Sequence, residues 1–530
     1  MTKRHVDRPD WSLPYPSRRS PVLARNVVAT SQPLAAQAGL RMMLDGGNAV
    51  DAAIATAIAL TVVEPTSNGI GSDAFAIVWN GERLHGLNAS GRSPAAWTPE
   101  HFAGVTSMPE RGWDTVTVPG AVSAWVELSK AFGKLPFDDL FAPAVDYARR
   151  GFPVSPVVAA SWQSAAKAFK DFPDFGTAFL KNGRAPKAGE VWSFEDQART
   201  LERIAATNGE AFYRGDLAEK IAAHATATGG LMTTDDLAEH KADRVEPISV
   251  DYREFTVHEI PPNGQGLAAL IALGILEQFP LADFPADSAD SLHVQIEAMK
   301  LAFADAHRYI ADIDAMGFNP STFLQPDYLA ERAKLIDMKR AGEPTFGVPR
   351  EGGTVYLTAA DASGMMVSYI QSNYGGFGSG IVVPGTGISL QNRGKGFTLE
   401  EGHANRVGPR KRPYHTIIPA FVTRDGKPVM SFGVMGGPMQ PQGHVQMMVR
   451  IADHRQNPQA AADAPRWQVT DGLNVTLEPG VADEVAADLS RRGHRISKGP
   501  NGGGAQLIWK LDDGYVAASE PRKDGQAVGF

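Results

Sequence analysis

The 530-residue chain contains no cysteine. That removes disulfides, thiolate nucleophiles and cysteine-ligated metal clusters together, so any nucleophile is an oxygen or a nitrogen. Thr354 stands in a setting suited to such chemistry. It follows RAGEPTFGVPREGG (340–353), a stretch rich in Gly, Pro and charge that reads as an exposed loop. It also opens the first of two strand-like runs, TVYLTAAD and MMVSYIQS, with Ala362-Ser363-Gly364 as the turn between them. A threonine hydroxyl is a weak nucleophile without a base beside it, and where no Ser/His/Asp arrangement serves, one solution is the residue's own α-amine. A free amine at Thr354 requires cleavage between Gly353 and Thr354. Gly352 and Gly353 permit the strained backbone in which the hydroxyl attacks the preceding carbonyl, giving an ester that water cleaves. Taken alone, a threonine opening a strand is ordinary β-propensity, so the assignment needs other motifs.

The elements around this strand interleave helix and sheet. Residues 1–24 read as an irregular arm. QPLAAQAGLRMMLDGG has apolar positions at helical spacing ended by a Gly pair, and AVDAAIATAIALTVV is apolar nearly all round, as a helix buried on most sides would be. AFAIVWNGERLHGLNAS reads as two strands joined at Asn80-Gly81. From about 118 to 345 the pattern is mostly helical, a layer and rim that includes SLHVQIEAMKLAFADAHRYIAD. IIPAFVTRDGKPVMSFGVMGG predicts a hairpin turning at Asp425-Gly426, followed by a helix over GHVQMMVRIADH and short strands to the end. No repeat of fixed period and no low-complexity tract is present.

The apolar fraction (43%) and charged fraction (21%) are those of a globular protein, and no stretch reaches the ~18 uninterrupted apolar residues of a membrane helix. The net charge of −8 and the scattered basic residues give no nucleic-acid footprint. The N-terminal segment MTKRHVDRPDWSLPYPSRRS has charge and proline without an apolar core, which leads to the expectation of a cytoplasmic enzyme.

In order and spacing, GGNAVDAAIATAIAL, EPTSNGIGSDAF, VPGAVSAWVELSKAFGKLPF and LFAPAVDYARRGFPV resemble the large-subunit portion of γ-glutamyltransferases. GGLMTTDDLAEH, IPPNGQGLAALIALGILEQF and HVQIEAMKLAFADAHRYIAD continue the resemblance. GGTVYLTAADASGMMVSYIQSNYGGFGSGIVVPGTGISLQN, GPRKRP, MGGPMQPQGH and APRW extend it through the small-subunit portion. The resemblance implies an N-terminal-nucleophile hydrolase of α+β class, a four-layer αββα sandwich. It implies one precursor cut into a large subunit, 1–353, and a small subunit, 354–530, that stay associated. Thr354 falls on the family's nucleophile, and Ser372 on its second threonine, with the hydroxyl kept. Gly436 and Gly437 fall on the Gly-Gly pair whose N–H groups form the oxyanion hole, where each donor is worth about 3–4 kcal/mol. No cofactor and no metal are implied.

The sequence departs from that family where an amino-acid substrate head would bind. The acidic pair expected after LNN is replaced by Lys395-Gly396, with Arg393 close by. The paired serines expected after KRP become Tyr414-His415, the SPGGS pattern becomes MGGPMQPQGH, and Arg92 in NASGRSP is displaced from strict register. The family's TLN asparagine falls on Tyr374, with Asn373 adjacent. Loss of the acidic pair with arginine retained favours an anionic amide without an ammonium, since Arg pairs bidentately with carboxylate. The candidate substrate-binding residues are therefore Arg92, Asn373, Tyr374, Arg393 and His415. The motifs resemble the glutathione-hydrolase-like and oxamate amidohydrolase branches, making oxamate a candidate substrate. A γ-glutamyltransferase or glutathione hydrolase, a cephalosporin-type acylase and an unprocessed, non-catalytic homologue are the alternatives, and a homodimer is open.

Three further features have bland readings. The spacings of His403, His415 and His444 match no standard metal-ligand pattern. NYGGFGSG lacks the Lys-Ser/Thr of a phosphate loop and reads as a tight wall. Asp73 in GIGSDAF reads as a loop cap.

Overall fold

In the computed structural model the described residues are 19–343, 353–501 and 503–530. Residues 1–18 of the expected arm, and residues 344–352 of the expected exposed loop, Gly352 included, lie outside them.

Two seven-stranded sheets form the centre. One runs, in spatial order, through 526–529, 27–30, 353–360, 366–374, 73–79, 84–88 and 243–245; the other through 22–24, 514–519, 504–511, 427–435, 420–424, 255–259 and 248–252. Each sheet draws strands from both sides of the 353/354 bond. The strand Gly353–Ala360 is paired antiparallel with Val27–Thr30 on one edge and Met366–Tyr374 on the other, so it is a central strand.

Three layers of apolar packing give the αββα order. Helices Pro33–Leu44 and Ala49–Val63 cover the outer face of the first sheet; all fifteen residues of the second helix are buried, as its apolar run predicts. Asn48 and Asp51 cap its start reciprocally. Helices Gly266–Leu276, Ala289–Tyr309 and Met439–Ala452 cover the other sheet. Between the sheets lie Phe75, Ile77, Tyr356, Ile370, Ile417, Phe421, Met435 and Ile508. The Tyr356 ring lies where a side chain at position 433 would be, 2.4 Å from a Cβ built there, so Gly433 lets the sheets approach. Thr358 and Ser431 share a hydrogen bond of 2.6 Å across the same gap.

Both predicted hairpins form. Asn80 and Gly81 make one turn, and Asp425 and Gly426 adopt φ of +51° and +71° at the other, a left-handed pair these residue types accept. Two expectations need correction. The span 118–345 is not only a helical layer, because Asp243–Val245, Ile248–Tyr252 and Phe255–Glu259 are sheet strands. Phe255–Glu259 alternates buried and half-buried residues, a period-two signal short enough to be masked by its helical surroundings. The helix predicted over GHVQMMVRIADH starts earlier, at Met439.

Among the described residues, no helix is long and apolar enough to cross a membrane. Ile54, wholly buried in the second helix, gives a direct check on the outer core. Ile54→Ala should destabilise the protein by about 3 kcal/mol through lost burial and a cavity, read as a lower urea midpoint at unchanged slope.

Candidate active site

The strand bearing Thr354 and its neighbour are out of step by one residue at their open end. Gly353 is opposite Tyr374 and Val355 is opposite Gln371, so Ser372 and Asn373 together face Thr354 alone. This bulge lets Ser372 turn its hydroxyl toward the threonine instead of alternating away from it. Thr354 is 2% exposed, and its Oγ1 donates to Ser372 Oγ at 3.2 Å. Ser372 Oγ also accepts the Tyr374 N–H at 2.8 Å, which fixes its position. From the facing side Gln440 Nε2 approaches Thr354 Oγ1 at 3.5 Å.

Gly436 and Gly437 follow the strand Lys427–Met435 of the other sheet, so the two sheets meet here at their ends. Their φ angles, +115° and +57°, are open to glycine. The Gly436 carbonyl accepts the Met439 N–H (3.0 Å), and the Gly437 carbonyl accepts the Gln440 N–H (3.1 Å) and Gln265 Nε2 (2.9 Å). In a trans peptide the N–H of Gly437 is antiparallel to the C=O of Gly436. With that carbonyl turned into the helix Met439–Ala452, the Gly437 N–H points out of the helix N-terminus, where partial positive charge accumulates.

Thr354, Tyr374, Asn392, Lys395, Gly436 and Lys523 are among the residues lining a cavity of about 590 Å³. Among the described residues its lining holds one carboxylate, Glu110, already ion-paired with Lys395, and three cations, Arg111, Lys395 and Lys523. A larger cavity of about 780 Å³, bounded by Arg253, Leu281, Ile451 and Trp509, lies elsewhere and contains neither Thr354 nor the glycine pair.

The five expected substrate-binding residues separate. Tyr374 lines the cavity. Its φ is +73°, strained for an aromatic residue, and its ring lies 4.7 Å from the Arg393 guanidinium. Arg393, 1% exposed, sits behind that ring. Its NH1 donates to Thr416 Oγ1 at 2.7 Å, while Nε and NH2 have no partner among the described residues. Burial pulls its pKa down to about 10, against the opposing influence of Asp73.

The other three are not among the residues lining this cavity. Asn373 is buried with its amide turned to Ser72 and Ser389, bracing a neighbouring loop. His415 is fully buried with Nε2 3.1 Å from Asp73 Oδ2 and is not among the lining residues. Its Nδ1 accepts the Ile417 N–H at 3.4 Å, placing the ring proton on Nε2 toward Asp73. Burial drives this ring well below the ordinary histidine range. Asp73 also accepts the N–H groups of Gly91 and Gly120, as its loop-cap reading expects, and burial pushes its pKa up to about 7. Arg92 faces away into a different cavity of about 450 Å³, held by Asp312 at 2.6 Å and by the Arg410 carbonyl at 3.2 Å.

His403 and His444 do not join His415. His444 Nδ1 meets Glu259 at 2.6 Å and His403 accepts from Asn405. A grouping the sequence hid is His293, Glu297 and His494, some 200 residues apart at its ends. Lys300 lies 2.5 Å from Glu297 and the two imidazoles are hydrogen-bonded at 2.8 Å, while His494 Nδ1 has no hydrogen-bond partner among the described residues. The sequence marked Gln440 only as part of MGGPMQPQGH and left Thr416 and Lys523 without a role; the last two come from segments far from Thr354 in the chain.

Comparison with known proteins gives consistent matches along the chain. The family described as Gamma-glutamyltranspeptidase matches residues 35–530. The glutathione hydrolase-like YwrD proenzyme of Bacillus subtilis is 35% identical, covering 97% of this chain and 100% of that protein. The oxamate amidohydrolase proenzyme of Klebsiella pneumoniae is 35% identical over 94% of this chain and 97% of its own. The crystal structure of a cephalosporin acylase from Bacillus halodurans superposes with a TM-score of 0.95 at 50% identity, covering 98% and 99% of the two chains.

Behind the Gly120 loop, His240 is buried against Tyr213 with Ser123 as its hydrogen-bond partner, and burial lowers its pKa from 6.5 to about 3. The unfolded chain protonates this ring near pH 6.5 and the folded chain does not, so its contribution is present above that pH and lost as pH falls toward 3. Thermal melts should show His240→Asn losing less stability than wild type between pH 7 and 5, a difference of about 2 kcal/mol at pH 5.

Proposed function

The chain belongs to the γ-glutamyltranspeptidase family, and from that premise we propose that it is a self-processing N-terminal-threonine amidohydrolase acting on a small carboxylate-bearing amide. The observation that carries the reading is the meeting of Thr354 Oγ1, Ser372 Oγ and the Gly436-Gly437 turn at one end of a polar cavity. Cleavage before Thr354 frees its amine and divides the chain into a large subunit, 1–353, and a small one, 354–530. Strands shared between the two pieces in both sheets keep them together.

The amine then serves as base. Thr354 Oγ1 bonds to the substrate carbonyl carbon, the hydroxyl proton passes through the amine to the leaving nitrogen, and ammonia or an amine departs. Ser372 orients the hydroxyl, and the N–H groups of Gly436 and Gly437 receive the oxyanion. Water resolves the acyl-enzyme.

Two features support an anionic acyl group. Among the described residues the cavity wall carries three cations to one paired carboxylate, so an amino-acid ammonium finds no unpaired acidic partner there. Behind Tyr374, Arg393 is a buried cation with Nε and NH2 unpartnered, the edge that takes a carboxylate bidentately. An uncompensated buried charge is costly, and an arriving carboxylate offsets that cost. Oxamate satisfies this chemistry. A longer dicarboxylic acyl group, as an acylase of the cephalosporin type would accept, is the second reading. It is favoured by the 590 Å³ cavity, roomy for a two-carbon acid, and by the 50% identity to the acylase structure.

Purified wild-type protein should give two masses meeting at Gly353/Thr354, and Thr354→Ala a single inactive chain; an intact, active Thr354→Ala protein overturns the assignment. Oxamate, glutaryl p-nitroanilide and γ-glutamyl p-nitroanilide separate the substrate readings, with the γ-glutamyl amide expected to be the poorest. Arg393→Met should lower kcat/KM for the preferred acid amide about 100-fold, the loss of a charged hydrogen-bond pair.

A further inference from the structure

Gln440 occupies the first turn of the helix Met439–Ala452 and is fully buried. Its Oε1 accepts the Ile418 N–H at 3.0 Å. That bond fixes which end of the amide is oxygen, so the group facing Thr354 Oγ1 is the NH2, a donor. Thr354 Oγ1 thus lies between two partners of opposite character, Ser372 Oγ, to which it donates, and Gln440 Nε2, from which it accepts. The Gln440 backbone N–H is bonded to the Gly437 carbonyl, so the same helical turn that orients the glycine pair also carries this side chain.

Resting on the N-terminal-threonine reading above, we propose that Gln440 is a catalytic residue that stabilises negative charge on Thr354 Oγ1, separately from the charge on the substrate oxygen held by the glycine turn. As the hydroxyl loses its proton to the amine, charge gathers on Oγ1 and the amide N–H strengthens its bond to it. In the acyl-enzyme Oγ1 is an ester oxygen, a poor acceptor, and the interaction weakens. During hydrolysis water bonds to the acyl carbon and its proton is taken by the Thr354 amine. The carbon–Oγ1 bond breaks with its electron pair returning to Oγ1, and the proton then passes from the amine to that oxygen. Gln440 again meets the charge as it appears. An interaction stronger in the transition states than in the ester lowers the barriers at both ends of the cycle. A separation of 3.5 Å at rest agrees with a contact that tightens when charge develops. Self-cleavage uses the same hydroxyl and gains from the same donor.

Two variants test this. Gln440→Met keeps the volume and removes the donor. Gln440→Glu keeps an acceptor for the Ile418 N–H but donates to Oγ1 only when protonated. Each is followed by thermal melt, by intact mass for self-cleavage, and by steady-state hydrolysis of whichever of the three amides wild type cleaves fastest. For Gln440→Met with an unchanged melt, slower self-cleavage and a kcat about 30- to 300-fold lower in the processed fraction are expected, without a rise in KM. For Gln440→Glu, activity relative to wild type should recover as pH is lowered from 8 to 6, a profile that a purely structural glutamine does not produce. A processed Gln440→Met enzyme with kcat within twofold of wild type overturns the proposal. If that variant does not fold, a Gln440→Glu profile parallel to wild type overturns it. Turnover by Thr354→Ala at the wild-type rate overturns the underlying reading and this proposal with it, whereas an inactive Thr354→Ala protein beside a fully active Gln440→Met protein removes only the role of Gln440.

Discussion

The backbone pairing of the strand Gly353–Ala360 is the constraint on which the site depends. It is held on one edge by Val27–Thr30 and on the other by Met366–Tyr374, so Thr354 is fixed by ladders that do not involve the bond preceding it. Breaking that bond frees an amine without freeing the residue. The one-residue slip at the end of the same ladder brings Ser372 to the threonine, and Tyr374, two residues on, takes up the strain as a left-handed φ. The local irregularity is thus the means by which a regular sheet brings the Ser372 hydroxyl to the Thr354 hydroxyl.

The second sheet supplies the other half of the candidate site. Its strand Lys427–Met435 ends at Gly436-Gly437, and the helix beginning at Met439 consumes their carbonyls. What remains at that end is a set of donors beside the positive end of the helix. Close approach of the sheets, with the Tyr356 ring lying where any side chain at Gly433 would be, brings the two halves within reach. Sheet packing and site geometry are therefore one requirement.

Charge is handled differently on the two sides of Tyr374. On the cavity side, Glu110 and Lys395 are paired within reach of water. On the buried side, Asp73 is divided among His415 and two backbone N–H groups, leaving Arg393 with only the Thr416 hydroxyl and the face of Tyr374. Burial acts on each of these groups in the direction that removes charge, raising Asp73 and lowering His415 and Arg393. Such an arrangement leaves a buried guanidinium edge without a partner among the described residues, behind the Tyr374 ring that lines the cavity.

The sequence by itself determined the two covering helices, both hairpin turns and Thr354 as the opening of a buried hairpin, because these depend on local periodicity, turn chemistry and composition. Its motif blocks also determined the family. Whether a side chain reaches the cavity was decided only by tertiary structure. Arg92, Asn373 and His415 carry the right chemistry at plausible positions, yet an ion pair with Asp312, a bulge and a buried carboxylate turn them elsewhere. Conversely, Gln440 and Thr416 carry no assigned role in their own segments and gain meaning only where strands and helices far apart in the chain converge. Local sequence fixes which backbone conformation is cheapest, while a side chain's partners depend on long-range packing that no short window contains.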